Sequence, residues 1–246
     1  MKIITFNIRN ALADDGANGW RYRREFVYEY LLGSGADVIC LQEVVPAVKV
    51  ELSSALAEVY ECVGEGRLAE PKEYDEINLI AYKKSAFRLI EKEHFWLSDT
   101  PGIAGSKYPT QEHWPRTCTH VALQSENGVY NVFATHLDNV AEVAREKGLN
   151  LIISRAAEKD KTLICGDFNE FPENVTKWVD GRFNDCTRNI AATYTEYGKV
   201  SQKIDYIFAS KDLKQLSQSY ADEQIKDGVY ISDHFPVIAE IAADGG

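Results

Sequence analysis

An α/β fold with two sheets and helices on the outside is the architecture this chain predicts. Three observations carry that reading. About nine short apolar runs, many rich in Ile, Val, Phe and Tyr and bounded by turn residues, recur along the 246 residues, which is the pattern of strands. A few longer stretches between them repeat apolar residues at helical spacing. That many strands with so few helices does not suit a doubly wound sheet, in which the two alternate. No repeat, low-complexity tract or Pro/Gly/Ser-rich linker divides the sequence. A single catalytic domain over 1–246 is therefore expected.

The strand-like runs fall at 2–8 (KIITFNI), 37–42 (DVICLQ), 77–82 (INLIAY), 87–91, 119–124 (THVALQ), 129–135 (VYNVFAT), 162–166 (TLICG), 204–209 (IDYIFA) and 235–241 (FPVIAEI). Helical spacing appears at 20–33, where Phe26, Val27, Tyr30 and Leu31 share a face, and again at 46–60 and 140–158. Gly33 and Gly35 suit the stop of the first helix.

Composition narrows the class further. Hydrophobic residues make up 45% of the chain, enough for a sizeable core. There is no run of eighteen apolar residues, so no membrane span is expected. The start, Met-Lys-Ile-Ile-Thr-Phe-Asn, lacks the pattern of a signal peptide, and a cytoplasmic location is expected. Cysteines stand at 40, 62, 118, 165 and 186 without a CxxC pair. Neither disulfides nor a zinc site are expected from that spacing. The net charge is -11. Long duplex DNA is gripped by basic surfaces, so such a partner is disfavoured. A small phosphorylated substrate on a local cationic site is not.

The polar residues fall in a pattern of their own. Asn7 interrupts the first strand, Glu43 ends ICLQE, His136 and Asp138 end VFATHLD, and Asp167 and Asn169 end LICGDFN. Asp205 sits in KIDYIF, and Asp233 with His234 precedes the last strand in SDHFP. Residues two apart on a strand share a face, so Asp167 and Asn169 can reach one cleft. Any one of these is most simply a turn or cap residue. Six such sites at strand ends, nearly all carboxylate, carboxamide or imidazole, point instead to chemistry held by a scaffold.

The chain resembles the endonuclease/exonuclease/phosphatase superfamily, which includes pancreatic-type deoxyribonuclease, abasic-site endonucleases, neutral sphingomyelinases, inositol polyphosphate 5-phosphatases and messenger-RNA deadenylases. The resemblance rests on TFNIR, LQEV, THLD, GDFN, KIDYIF and SDHFP, which stand in the family's order between residues 5 and 236. FWLSDTP at 95–101 and WPRTC at 114–118 look like a bacterial branch of undefined substrate. The resemblance implies a four-layer α/β/β/α sandwich, two packed mixed sheets flanked by helices, which agrees with the strand count.

It also implies a Mg²⁺- or Mn²⁺-dependent phosphoric ester hydrolase. Such a reaction needs an oriented water, stabilised non-bridging oxygens and a neutralised leaving oxygen. By resemblance Asn7, Glu43 and Asp233 form the metal site. Asp167 activates the water and Asn169 holds that water or a phosphate oxygen. His234 stabilises developing charge, with Asp205 fixing its tautomer. His136 donates to a phosphate oxygen, and Glu76 orients His136. Arg116 approaches substrate phosphate with its forked donors. His94, His113 and His120 read as surface or core histidines. The expected substrate is a phosphomonoester, a phosphodiester or a short oligonucleotide. A nuclease on DNA or RNA is the rival reading, with RYRRE at 21–25 as its longest basic cluster. An inactive binding module on the same fold is a third. Specificity is expected in loops 61–76, 98–115 and 186–203.

Overall fold

The computed structural model describes residues 1–243. In chain order its first elements are β1 (Lys2–Asn7), a short 3₁₀ turn (Gly16–Asn18), α1 (Trp20–Gly33), β2 (Val38–Val44), α2 (Pro46–Ala55), β3 (Tyr60–Val63) and β4 (Ile77–Lys83). Then come β5 (Arg88–Trp96), β6 (Thr117–Ser125), β7 (Gly128–His136), α3 (Glu142–Ala156), β8 (Thr162–Asp167) and α4 (Pro172–Val179). The chain finishes with β9 (Asn184–Asp185), β10 (Asp205–Ala209), β11 (Leu213–Gln215), β12 (Tyr220–Ala221), β13 (Ile225–Lys226), β14 (Val229–Tyr230) and β15 (Val237–Ala243).

These strands form two main sheets. The first runs β11–β15–β1–β2–β4–β3, with β12 also on β15; the second runs β5–β6–β7–β8–β10–β9. The pair β13–β14 stands apart as a small ribbon. Each main sheet holds one parallel pair, β1 with β2 and β7 with β8. Parallel neighbours need a long crossover, which α1 and α3 supply. The other main-sheet pairings are antiparallel, so both sheets are mixed.

Period two sorts the strand residues into three apolar layers. Ile3, Cys40, Ile80, Val132, Cys165 and Ile207 pack between the sheets. Ile4, Phe6, Ile39 and Leu79 face the other way, onto Val27 and Leu31 of α1 and Val48 and Leu52 of α2. Phe133, Ile164 and Phe208 face Ile152 of α3 and Trp178 of α4. Central strands buried on both faces read as continuous apolar runs, which is why β1, β2, β7 and β8 stand out in the sequence. The result is the four-layer α/β/β/α sandwich. Among the described residues no helix is long and apolar enough to cross a membrane.

Three elements differ from the sequence expectation. The helix expected over 46–60 stops at Ala55, and Tyr60 already opens β3. The run at 87–91 extends to Trp96, because β5 is an edge strand whose middle carries exposed Glu91 and Lys92. The helix α4, begun by Pro172 at its first turn, is only eight residues long and too short to show a period. In the basic cluster RYRRE, Arg21 and Arg24 are exposed but Arg23 is not. Arg23 is fully buried; its guanidinium donates to the carbonyls of Asn18, Ile8 and Arg9. Its charge ties the loop after β1 to α1.

Gly166 shows how closely the central strands approach. A β-carbon there would lie 2.0 Å from the Thr135 carbonyl oxygen, inside any permitted contact. Gly166→Ala is therefore expected to lower the unfolding free energy by about 2 kcal/mol or more, measured by urea denaturation. An unchanged midpoint would contradict the close approach of β7 and β8.

Candidate active site

The polar residues singled out in the sequence gather at one end of the sandwich. Asn7 ends β1, Glu43 lies near the end of β2, His136 ends β7 and Asp167 ends β8. These are the carboxyl ends of both parallel pairs, where α/β sheets place their ligand crevices. Strand register does the fine positioning. His136 is the cross-strand partner of Asp167 on one side, and Asp205 is its partner on the other. Asp233 and His234 arrive from the loop before β15, where His234 bridges to Tyr194. Glu43, His136, Asp167, Asp233 and His234 line a cleft of about 530 Å³, with Asn7 and Asp205 buried behind them.

Backbone strain marks the site. Glu43 has φ 62°, Asn169 φ 50° and Arg9 φ 59°, a region that non-glycine residues rarely occupy. Glu43 also lies within a break in the β2–β4 register between Leu41 and Val44. A bulge of this kind re-aims a side chain, and here it turns the Glu43 carboxylate into the cleft. Strained residues persist only where the surroundings over-determine them.

Asp167 is the centre. Asn7 Nδ2 donates to its Oδ2 at 3.0 Å, and the Asn169 backbone N–H donates to its Oδ1 at 2.8 Å. His136 Nε2 lies 3.4 Å and His234 Nε2 3.7 Å from Oδ2. Burial, then the neighbouring Asp205 carboxylate, pushes the Asp167 pKa up to about 7, against the opposing pull of His234 and the two hydrogen bonds.

His234 has the opposite character. Its Nδ1 lies 2.9 Å from Asp205 Oδ2. Burial disfavours the charged ring, but Asp205, Asp167 and Asp233 together outweigh it and raise the pKa to about 10. Asp167, Asp205 and His234 lie close enough together to enclose an ion. A protonated imidazole has no free lone pair to offer one, so the trio is better suited to moving and stabilising protons and charge.

His136 is neutral. Burial, then the cationic Arg116, Arg67 and His234, holds its pKa well below the usual range. Asn169 Nδ2 donates to Leu137 O at 3.2 Å and faces His136 Nε2 at 2.9 Å. The Leu137 carbonyl fixes which end of the Asn169 amide is the amine. Nε2 therefore accepts, and the ring proton sits on Nδ1, which has no hydrogen-bond partner.

Glu76 is a correction to the sequence reading. Its carboxylate does not hydrogen-bond His136. It accepts from Arg67 Nη1 at 2.6 Å and from Asn10 Nδ2 at 2.9 Å. A nearly buried guanidinium competes for a carboxylate more strongly than a neutral imidazole does, so Glu76 positions Arg67. Asn7 is a second correction. Its Oδ1 accepts from the Arg9 backbone N–H at 2.9 Å, and its amine bridges Glu43 Oε1 (2.9 Å) and Asp167. Two carboxylates flank it, and only the amine end satisfies both. The residue expected to give a carbonyl ligand is thus a strut between two carboxylates.

Glu43 carries the features of a cation site. Burial raises its pKa, and the nearby Glu76 and Asp233 carboxylates raise it further. Like charges gathered in one cleft favour a cation between them. Arg9 partly answers them: its Nε lies 3.0 Å from Asp15 Oδ2 and 3.7 Å from Asp233 Oδ2. On the opposite wall Arg116 is buried, donates to Asn139 Oδ1 at 3.0 Å, and holds its Nε 4.0 Å from Asp138 Oδ2. Asp138 shapes this wall. Its Oδ1 accepts the N–H groups of Val140 and Ala141 at the start of α3.

Several cleft residues escaped the sequence reading. Arg9 lies inside TFNIR, but a lone arginine after a strand carries no distinguishing signal. Arg67 and Tyr194 belong to two of the loops expected to set specificity, where no period exists to assign a face. His113, read as an ordinary histidine, lines the cleft. His120 is buried and stacked on Phe133, and His94 packs edge-on against Trp96.

Comparison with known proteins places this geometry. The model of the Endonuclease/Exonuclease/phosphatase family matches residues 4–234. A comparison with curated proteins returned no match. Among solved structures, a functionally unknown conserved protein from Enterococcus faecalis V583 is similar at 28% identity and TM-score 0.88, over 99% of this chain and 100% of that one. The mannosyl-6-phosphatase Bt3783 of Bacteroides thetaiotaomicron VPI-5482 shares the fold at 23% identity and TM-score 0.85, over 98% and 99%. D. rerio TDP2, complexed with a single-strand DNA product, shares it at 17% identity and TM-score 0.77, over 99% of both chains. With its family match across the sandwich and its strand-end carboxylates and imidazoles in one cleft, the chain belongs to the endonuclease/exonuclease/phosphatase family.

Proposed function

We propose that this chain is a divalent-metal-dependent phosphoesterase that hydrolyses a phosphomonoester or phosphodiester by direct attack of a water activated by Asp167. The observation that carries the reading is the environment of Asp167. It is a buried carboxylate at the cleft floor with its pKa pushed up to about 7. A general base works best when its pKa lies near the working pH.

Each residue has a task in this reading. Asp167 takes the proton from the attacking water, and the Asn169 amide, anchored on Leu137 O, orients that water or a phosphate oxygen. His234, cationic beside Asp205, faces the charge that develops on the phosphoryl oxygens. Neutral His136 lines the same cleft and in this reading donates a ring N–H to a phosphate oxygen. Arg116 lines the cleft and in this reading its guanidinium approaches a non-bridging oxygen. Glu43 and Asp233 fit a hard divalent ion such as Mg²⁺ or Mn²⁺ because they are oxygen donors crowded by like charge. Such an ion supplies Lewis-acid stabilisation of the phosphoryl oxygens and the leaving oxygen.

The cleft favours small substrates. Its volume of about 530 Å³ is the size of a small-molecule site, and the chain's net charge of -11 opposes a long polyanion. A mannosyl-6-phosphatase is among the structures that share the fold, which is consistent with a phosphorylated sugar or similar molecule. A short oligonucleotide remains the alternative substrate, as D. rerio TDP2 with its single-strand DNA product illustrates for that protein.

Two outcomes are expected. With Mg²⁺ or Mn²⁺, the chain hydrolyses p-nitrophenyl phosphate or bis(p-nitrophenyl) phosphate and chelator stops it. Asp167→Asn then lowers kcat by roughly 10²–10⁴-fold. Turnover within twofold of wild type would remove Asp167 from the mechanism.

The second outcome concerns stability. Asp167 has a folded pKa raised from 3.8 to about 7, so the native state binds its proton more tightly than the unfolded chain does. Ionising it therefore costs stability, an effect that begins as pH rises above 3.8 and is complete above about 7. In chelator, Asp167→Asn is expected to raise Tm more at pH 8 than at pH 5. An equal change at both pH values would contradict the raised pKa.

A further inference from the structure

Beyond the phosphate-handling groups, the cleft has a side wall that hydrolysis alone does not require. Trp114 lines the same cavity as Asp167 and His136, yet it is 42% exposed. Tyr74, 40% exposed, stands beside it with ring centroids 5.5 Å apart and planes at 51°. The Arg67 guanidinium carbon lies 5.3 Å from the Trp114 ring centroid. Two large aromatic side chains open to water beside a cavity form an apolar surface that a ligand can cover.

The wall is also held in place. Arg67 is pinned by Glu76 at 2.6 Å, and its own carbonyl accepts from Trp96 Nε1 at 2.6 Å. The loop carrying Tyr74 is closed by Leu68 N–H onto Asp75 Oδ1 at 3.0 Å. In the loop carrying Trp114, Tyr108 N–H donates to Gln111 Oε1 at 2.8 Å, and Gln111 Nε2 donates to the Trp114 carbonyl at 3.4 Å and to Asp138 Oδ2 at 3.3 Å. Asp138 in turn caps the turn leading into α3. Aromatic groups fixed before binding lose little entropy when a partner arrives.

We propose that Trp114, flanked by Tyr74 and braced by Arg67, is a stacking subsite for a ring carried by the phosphorylated substrate, either a sugar or the base of a nucleotide. The inference rests on the phosphoesterase reading and extends it to substrate class: a compact ring phosphate rather than a ringless chain. The part of the indole left open to the cleft, 42% of the residue's surface, is apolar surface that such a ring can cover. The catalytic groups on the floor of the same cleft receive the phosphate. Arg67 braces the wall and gives that side of the cleft positive charge. It also accounts for Glu76, which acts as a positioning residue for the wall instead of for His136.

Isothermal titration calorimetry of the full chain tests this directly. The probes are inorganic phosphate, glycerol 3-phosphate, glucose 6-phosphate and adenosine 5′-monophosphate, titrated with Ca²⁺ in place of the activating ion. At least one ring phosphate is expected to bind wild type roughly 10-fold more tightly than glycerol 3-phosphate, a margin in the range of a single stacking contact. The margin is expected to collapse in Trp114→Ala and to survive largely in Trp114→Phe, which keeps an aromatic face. Preference for the sugar or for the nucleotide identifies which ring the wall receives. Equal binding of ring and ringless phosphates, or a margin that persists in Trp114→Ala, would overturn the subsite. Failure of the phosphoesterase reading looks different: no hydrolysis of any phosphoester with Mg²⁺ or Mn²⁺, whatever the binding pattern.

Discussion

The cleft is organised around one buried carboxylate that two sheets enclose from opposite sides. Asp167 ends a central strand of one sheet, and Asn7 ends a central strand of the other and donates to it at 3.0 Å. That hydrogen bond joins the two sheets at the cleft. Asp205 and His136 flank Asp167 by strand register, so their spacing is set by the backbone and not by side-chain choice. A carboxylate so placed resists ionisation, and a neighbouring carboxylate strengthens that resistance. His234 is drawn to the same spot for the opposite reason, since three acidic groups hold its charge in spite of burial.

Such a site needs a rigid support. Left-handed backbone at Arg9, Glu43 and Asn169 costs of order 1–3 kcal/mol per residue. The three apolar layers supply the stabilisation that offsets it. Arg23 contributes locally: its buried guanidinium holds the Ile8 and Arg9 carbonyls and so fixes the strained turn after β1. The bulge at Glu43 belongs to the same design. One irregular residue in an otherwise regular strand turns a carboxylate out of the sheet face and into the cleft.

Much of this was legible in the sequence because it depends on period two. The strands buried on both faces read as apolar runs, and polar residues at their ends stood out against them. Asp167, Asn169, His136, Asp205 and His234 all meet where that pattern placed them. The pattern fails where the backbone is irregular. Glu76 follows a loop with no period, and its partner Arg67 lies nine residues away on the other limb of the same loop, so their pairing left no trace in spacing. Asn7 was found, but the direction of its amide depends on the Arg9 N–H and on two carboxylates from different strands. Exposed Glu91 and Lys92 hid the outer half of β5 for a similar reason: an edge strand lacks the burial that makes a strand visible. Most tryptophans are buried, as Trp20 and Trp178 are, so the residue type alone does not distinguish Trp114. Only the fold shows that this one faces the cleft.

The central claim is that Asp167 directs a water molecule onto phosphorus with no covalent intermediate. The stereochemical course at phosphorus, read with a phosphoester that the chain hydrolyses and that is made chiral at phosphorus, tests it most directly. The account expects inversion of configuration, the result of a single in-line displacement by water. Net retention would mean two displacements through a covalent enzyme intermediate and would contradict direct attack by water.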